Sequence, residues 1–280
     1  MRSSTVPIFL CVLLPSLVLA SSLDDVVNDA ALFDGVVKQM QDEQYGQSSD
    51  AVRESGSEVF PSTGQGSSTS RQSESEEDPT YLTARVDGVP VVFRDVPKVE
   101  WFAPYVREVT EQGIVSGYRE ADGTLKGLFG PADSLTIEQL AKIAVHVSQV
   151  DLLACGSTLK NAMAKGTWSE SFVRCAEQRG WAVFADGSVD VRRLARRSEV
   201  VATLLQALGV KIEPRTGGIF TDIDGSVEFA AAIEMAAKAG VVAGDSDAQG
   251  NATGTFRPLD PVNRAEVAKI ITMALQVYGE

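Results

Sequence analysis

The residues of this chain whose types and positions could do chemistry are two arginines, each in the first turn of a predicted helix. Arg197 begins the segment Arg-Ser-Glu, and Arg264 lies in the segment Asn-Arg-Ala-Glu. A guanidinium offers paired N–H donors that match a carboxylate, and a helix start adds backbone donors and a favourable dipole. Both positions would therefore suit an anionic ligand. Each arginine could instead balance a nearby surface glutamate, Glu199 or Glu266.

The chain contains little that could support catalysis. His146 is its only histidine, and it stands in a core-helix segment without a nucleophile motif nearby. No phosphate loop or dinucleotide fingerprint is present, and a zinc site of histidine and cysteine would lack ligands. The segment that starts at Asp245 resembles the start of a calcium loop, but Phe256 stands where a bidentate glutamate is required. We therefore expect no enzyme activity, no cofactor and no bound metal.

A pattern of two predicted helices occurs three times along the chain. The copies span residues 91–152, 153–212 and 213–280, and the middle copy is degenerate. One helix pair cannot cover its own apolar stripe, whereas three pairs can bury their second helices against one another. We therefore expect a mainly α-helical fold with one shared core.

Glycines and capping residues predict where the helices end and begin. Gly113 and Gly240 follow the first helices of the first and third copies, as C-terminal caps do. In the middle copy the first helix is expected over residues 169–178, closed near Gly180. Capping boxes begin the second helices of the first and third copies, formed by Thr136 with Gln139 and by Asn263 with Glu266.

The N-terminal part of the chain has a different character. Residues 1–20 have the order of a secretory signal peptide, with a basic residue, an apolar run and a small-residue cleavage site. Residues 21–90 are an acidic, serine-rich linker with 14 acidic against 4 basic residues. We predict that this linker is largely disordered, because it cannot bury enough apolar surface to offset the entropy of ordering it. An alternation over residues 81–92, around Asp87 and Gly88, predicts either a small β-hairpin or an extended lead-in.

Charge and cysteine content narrow the class of protein further. The formal net charge of −13 argues against nucleic-acid binding, which needs a basic face. No later segment approaches the length of a membrane-spanning helix, so the signal predicts an exported protein of the cell surface or envelope. Cys155 and Cys175 would remain after cleavage, and they could be a disulfide or two buried free thiols.

Two of the copies resemble an S-layer homology repeat. The first copy contains Phe-x-Asp-Val from Phe93, Gly-Ile-Val-x-Gly-Tyr from Gly113 and Phe-x-Pro from Phe129, and the third contains Phe-Thr-Asp-Ile from Phe220 and Val-Asn-Arg-Ala-Glu from Val262. The resemblance implies three two-helix repeats packed as a pseudo-threefold prism. In that family the clefts bind cell-wall carbohydrate, often a secondary polymer carrying pyruvate ketals, or peptidoglycan. The resemblance also implies the glycan-binding positions, which are Arg264, Arg197, Trp101, Asp95, Asp222, Gly117 and Gly244.

The sequence departs from the family pattern at several positions. Ile137 replaces the motif arginine of the first copy, Phe229 lies in the tryptophan region of the third, and the middle copy lacks a recognisable Phe-x-Asp and Phe-x-Pro. Trp101 could also be a packing residue. Asp95 and Asp222 could bind no ligand and serve instead as caps of the turn or helix that follows them.

The leading hypothesis is non-covalent attachment of an exported protein to the cell envelope. Its partner would be a cell-wall polysaccharide or peptidoglycan. The alternative is a structural or protein–protein interaction module of the envelope that binds no glycan and contacts other envelope proteins. Attachment would survive removal of wall polysaccharide only in the second case.

Overall fold

The computed structural model describes residues 80–215 and 217–279. The predicted signal peptide and nearly all of the predicted linker lie outside the described residues. The described part is mainly helical, as expected, with six α-helices and one two-stranded sheet. In chain order these are β1 (Tyr81–Val86), β2 (Val89–Pro97), α1 (Ala103–Glu111), α2 (Ile137–Val147), α3 (Glu170–Gln178), α4 (Arg197–Ala207), α5 (Ala230–Lys238) and α6 (Arg264–Tyr278), and a short 3₁₀ helix covers Leu152–Ala154.

Of the two alternatives for residues 81–92, the structure has the hairpin. Strands β1 and β2 pair antiparallel and are joined by Asp87 and Gly88, which have φ values of 50° and 80°. Positive φ at both central residues is the requirement of a two-residue type I′ turn. Leu82 and Phe93 are cross-strand partners, and both are buried in the core. The hairpin therefore places ordered structure inside the range, residues 21–90, that the sequence boundaries gave to the linker.

The predicted caps are confirmed where the structure contains them. Gly113, Gly180 and Gly240 have φ values of 70°, 69° and 76°, and each follows the end of a helix. These positive φ values suit glycine, because a Cβ atom disfavours this conformation. The reciprocal hydrogen bonds of both predicted capping boxes are present, at the starts of α2 and α6.

Each first helix packs against the second helix of the preceding pair. Helix α3 packs on α2, and α5 packs on α4. Helix α1, the first of the described helices, packs on α6, the last of them. The second helices also contact one another, α2 with α4 and α4 with α6. The helix contacts therefore run in a circle that joins the two ends of the domain.

The segments that precede the three second helices are joined in the same circular order. Isolated β-bridges pair Thr136 with Leu194, Arg196 with Pro261, and Ser134 with Asn263. The first amide of each second helix donates to a carbonyl of the next pair: Ile137 to Arg193 at 3.0 Å, Arg197 to Asp260 at 2.9 Å, and Arg264 to Asp133 at 2.9 Å. Helix starts leave backbone donors that need acceptors, and here a neighbouring helix pair supplies them.

Candidate functional site

Arg264 is a buried cation with no acidic partner among the residues that the structure describes. The residue is only 8% exposed. Its Nε donates to the carbonyl oxygen of Phe129 at 2.8 Å, and its Cζ lies 5.0 Å from the ring centroids of both Tyr118 and Phe129. An arginine side chain has five N–H donors. The Nε donor is used by Phe129, and the four donors on the two terminal nitrogens have no acceptor in the described part of the protein. They are available to water or to a ligand.

This arrangement favours an anion. Aromatic faces attract a guanidinium and partly offset its desolvation, but a buried charge is costly unless it is paired and hydrogen-bonded. The two unused nitrogens form the planar fork that binds a carboxylate through two parallel hydrogen bonds. Arg264 is therefore the described arginine best placed to receive an acidic group.

The backbone donors expected at this helix start are not free, and that expectation was wrong. The amides of Arg264 and Ala265 donate to the carbonyl oxygens of Asp133 and Pro131 at 2.9 and 3.0 Å. The next amide, of Glu266, donates to the Asn263 side chain at 2.9 Å. Contacts between helix pairs and the capping box use these donors, so the arginine side chain is the principal donor left for an anion.

Arg197 has the corresponding position in α4 but a different environment. Its Cζ lies 5.0 Å from the Phe256 ring centroid, as Arg264 lies over Phe129. However, its Nη1 forms an ion pair with Glu266 Oε1 at 2.9 Å. Glu199, which sequence reasoning offered as the partner of Arg197, binds Arg193 instead. Arg197 is thus already neutralised by a carboxylate of the neighbouring helix pair.

Asp95 and Asp222 hold two loops in place. The Asp95 carboxylate accepts the backbone N–H groups of Phe129, at 2.9 and 3.0 Å, and of Gly130, at 2.7 Å. Asp222 accepts the corresponding amides of Phe256, at 2.9 and 3.1 Å, and of Arg257, at 2.7 Å. The expectation that these carboxylates cap the turn that follows them was therefore wrong, because each carboxylate binds a loop about 34 residues away in sequence. These loops carry the rings on which the two arginines stack.

Gly117 and Gly244 are places of close backbone approach. A Cβ atom on Gly117 would lie 2.6 Å from the Leu128 carbonyl oxygen and 2.7 Å from the Phe93 ring. On Gly244 it would lie 2.6 Å from the Thr255 carbonyl oxygen and 2.8 Å from the Phe220 ring. Only glycine fits such a gap without movement of the backbone.

Trp101 lies on the surface beside the interface of α1 and α6. It is 51% exposed and makes an edge contact with Phe102 at a centroid distance of 5.5 Å. Lys269 of α6 places its Nζ 5.7 Å from the Trp101 ring and 6.0 Å from the Tyr105 ring. Trp101 therefore packs on one side and leaves aromatic surface open on the other.

The middle helix pair contains counterparts that sequence reasoning missed. The amide of Glu138 donates to Val191 O at 2.9 Å, as Ala265 donates to Pro131, which places Val189-x-Val191 where the other copies have Phe-x-Pro. Asn161 donates from its side chain to Val189 O at 2.8 Å and so takes the place of Asp95. Apolar and amide side chains replace the aromatic ring and the carboxylate, and for that reason no motif was visible.

Glu138 introduces a carboxylate at the interface of the first and middle helix pairs. Its Oε2 accepts a hydrogen bond from Ser169 Oγ at 2.8 Å, and the residue is 7% exposed. Among the described residues no cation lies within ion-pair distance of it. Burial raises the pKa of Glu138 above its usual value, because desolvation penalises the charged form.

The remaining candidates are structural in their contacts. Cys155 and Cys175 form a disulfide with their Cα atoms 5.3 Å apart. Asp247 accepts the amides of Gln249 and Asn251 and so stabilises a turn. The described residues contain no cluster of metal-ligating side chains, and no helix in the described ranges is long and apolar enough to cross a membrane.

Two segments of the chain match the model of a known protein family. Residues 92–141 and 219–268 match the family model of the S-layer homology domain. Domains of that family are generally non-catalytic, cell-surface anchoring modules. The two matches contain α1 with the start of α2, and α5 with the start of α6. No curated protein matches the sequence.

Proposed function

We propose that this chain attaches non-covalently to the cell envelope by binding an anionic cell-wall glycan in the cleft around Arg264. The protein is exported and held at the cell surface, and its partner is a wall polysaccharide or peptidoglycan. The observation that carries the proposal is the guanidinium of Arg264, buried on two aromatic rings with no carboxylate partner among the described residues. The two segments that match an anchoring-module family support it.

The chemistry of this cleft suits a carboxylate on a sugar. The terminal nitrogens of Arg264 would donate two hydrogen bonds to that carboxylate. The half-exposed ring of Trp101, with Lys269 beside it, offers a surface on which the apolar face of a sugar ring can pack. In this proposal Asp95 and Gly117 act indirectly, because they fix the loops and rings that support Arg264.

The architecture that we propose for binding is a pseudo-threefold prism of three repeats, with α3 and α4 as the degenerate middle repeat. The circular order of helix contacts and of the bonds between the helix starts supports it. The three interfaces are unequal. One has an arginine available to a ligand, one has Arg197 neutralised by Glu266, and one has Ile137 in place of the arginine. We therefore expect one principal glycan site in the chain.

A wall pull-down tests the proposal. The full chain is incubated with purified native cell wall of its source, and the retained fraction is measured before and after extraction of the wall polysaccharide. We expect retention before extraction, and its loss either after extraction, if the partner is the polysaccharide, or only after enzymatic digestion of the remaining glycan strands, if the partner is peptidoglycan. Arg264→Gln should lower the affinity at least tenfold, because a charge-assisted hydrogen bond to an ionised group contributes about 1.5–3 kcal/mol. Arg192→Gln is the matched control, because Arg192 is an exposed arginine outside the cleft.

Two results would count against glycan binding. Retention that survives polysaccharide extraction but not protease treatment of the wall would favour a protein partner. If Arg264→Gln keeps native circular dichroism and full retention, this residue is not the glycan contact.

A further inference from the structure

Strand β1 has one edge without a hydrogen-bonding neighbour among the residues that the structure describes. Pro90 has no N–H, so its pair with Arg85 is not a hydrogen-bonded one. Bonded and non-bonded pairs alternate in an antiparallel ladder, so Ala84 bonds to Val91 of β2. The backbone N–H and C=O groups of Thr83 and Arg85 therefore point away from β2, and no hydrogen bond within the described part of the chain uses them.

The opposite edge of the hairpin, formed by β2, is covered by a loop. The amide of Arg94 donates to the carbonyl oxygen of Gly127 at 2.9 Å. A Cβ atom on Gly127 would lie 2.7 Å from the carbonyl oxygen of Val92, so the backbone of this loop lies directly against β2. An uncovered strand edge is a template for pairing with another strand, and in this hairpin that edge belongs to β1.

The open edge of β1 has a positive charge. Arg85 is exposed, and its Nη1 donates to the carbonyl oxygen of Gly88 at 3.3 Å. No carboxylate of the described residues lies within ion-pair distance of its guanidinium. A strand that pairs here is therefore favoured if it places an acidic side chain opposite Arg85.

The chain that leads into β1 contains a segment with these properties. Residues 57–61 read Ser-Glu-Val-Phe-Pro, and we call them the edge segment. Its central Val and Phe are residue types that favour strands, and Glu58 supplies the acidic side chain. Residues 62–79 contain no apolar side chain apart from Pro79. This connection is much longer than an antiparallel return requires.

We propose that the edge segment adds to β1 as a third, antiparallel strand, with Glu58 opposite Arg85 and Phe60 opposite Thr83. In this register the backbone groups of residues 58 and 60 face the open groups of β1, because alternate residues of a strand bond to the same side. Pro61 then occupies a position whose N–H would point away from β1, and proline is tolerated at such a position of an edge strand.

A segment of the same chain is favoured over a segment of a second copy. Both would form the same hydrogen bonds, but a second copy also loses translational and rotational freedom on binding, whereas a tethered segment is present at high effective concentration. The added strand closes the edge of β1 to other chains. It also makes the rest of the linker leave the domain beside the turn at Asp87 and Gly88. This interaction does not depend on the proposed glycan site.

Amide hydrogen exchange of the full chain, resolved by residue with NMR, tests the proposal. We expect the amides of Thr83 and Arg85 to be protected at least tenfold more strongly in the parent chain than in Phe60→Pro, because this substitution removes an N–H that faces β1. Thr69→Pro is the matched control, since it places a proline in the connection and should leave the protection unchanged. The amide of Ala84, which is bonded within the hairpin, should stay protected in all three proteins.

A charge exchange tests the register. Glu58→Arg should lower the protection of the Thr83 amide, because two arginines then face each other. Adding Arg85→Glu should restore it.

Three outcomes would overturn the proposal. The first is equal protection of Thr83 and Arg85 in the parent chain and in Phe60→Pro, at any level. The second is protection that rises with protein concentration, which would mean that a second copy supplies the strand. The third is a double charge variant that remains as unprotected as Glu58→Arg while Ala84 stays protected.

Discussion

The most demanding prediction concerns Asp95, because the structure gives it a supporting role in a position where the family resemblance implied a ligand contact. Asp95→Asn keeps the size of the side chain but replaces one carboxylate oxygen by an amide that donates. The two backbone N–H groups of Phe129 and Gly130 both need an acceptor there. In the variant one of them keeps the remaining oxygen, and the other faces an N–H group.

The size of the effect follows from these contacts. A hydrogen bond to a charged group contributes about 1.5–3 kcal/mol, and a buried donor left without an acceptor costs about 1–3 kcal/mol. We therefore expect Asp95→Asn to lower the free energy of unfolding by about 2–4 kcal/mol. In a domain of this size, a loss of 1 kcal/mol lowers Tm by about 2–4 °C, so the melting temperature should fall by roughly 4–16 °C.

Urea unfolding followed by circular dichroism measures the effect. Asp222→Asn should behave in the same way, because its contacts with Phe256 and Arg257 match those of Asp95. Asp122→Asn is the control, since Asp122 is exposed and accepts its hydrogen bonds from the nearby Thr124 and not from a distant loop. A loss below about 0.5 kcal/mol in Asp95→Asn, together with weaker wall retention, would refute a supporting role and make Asp95 a ligand contact.

Three further predictions test other contacts. Gly117→Ala should cost about 1–3 kcal/mol more than Gly113→Ala in urea unfolding, because both have positive φ but only Gly117 would place its Cβ against a carbonyl and a ring; equal costs would contradict the packing argument. Burial raises the pKa of Glu138, so the free energy of unfolding should fall as pH rises from the unfolded pKa through the folded one. Glu138→Gln should remove that fall, so the variant should become more stable relative to the parent chain as the pH rises from 4 to 7. Parallel pH profiles of the free energy of unfolding in the two proteins would contradict this prediction. Thiol titration of the denatured, unreduced chain should find neither Cys155 nor Cys175 reactive, and detection of both as free thiols would exclude the disulfide.

The sequence was sufficient to predict features that depend on neighbouring residues. Helix ends depend on local backbone geometry and on side chains three residues apart, so Gly113 and the capping box of Asn263 with Glu266 were visible without a structure. The hairpin remained one of two possibilities, because an alternation with Asp-Gly specifies a turn only if the strand finds a core to cover. Leu82 and Phe93 supply that contact.

The partners of the charged candidates could not be predicted, because they are distant in sequence. Glu266 pairs with Arg197, 69 residues away, and not with its neighbour Arg264. Asp95 binds amides more than 30 residues away, so a rule for local capping gave the wrong partner. In the middle helix pair an equivalent contact is present but is made by different residue types, as Asn161 shows with its hydrogen bond to Val189. A motif search compares residue types only and therefore misses this contact.

The circular order of the helix contacts has a consequence for how the domain comes apart. A linear array of three units has two junctions and two terminal units that can fray independently. Here α1 rests on α6, so there are three junctions and no outermost unit. Tension applied through either terminus must break a contact that also secures the opposite end. In the proposed role of an anchor, the domain would therefore yield as a whole and not unit by unit.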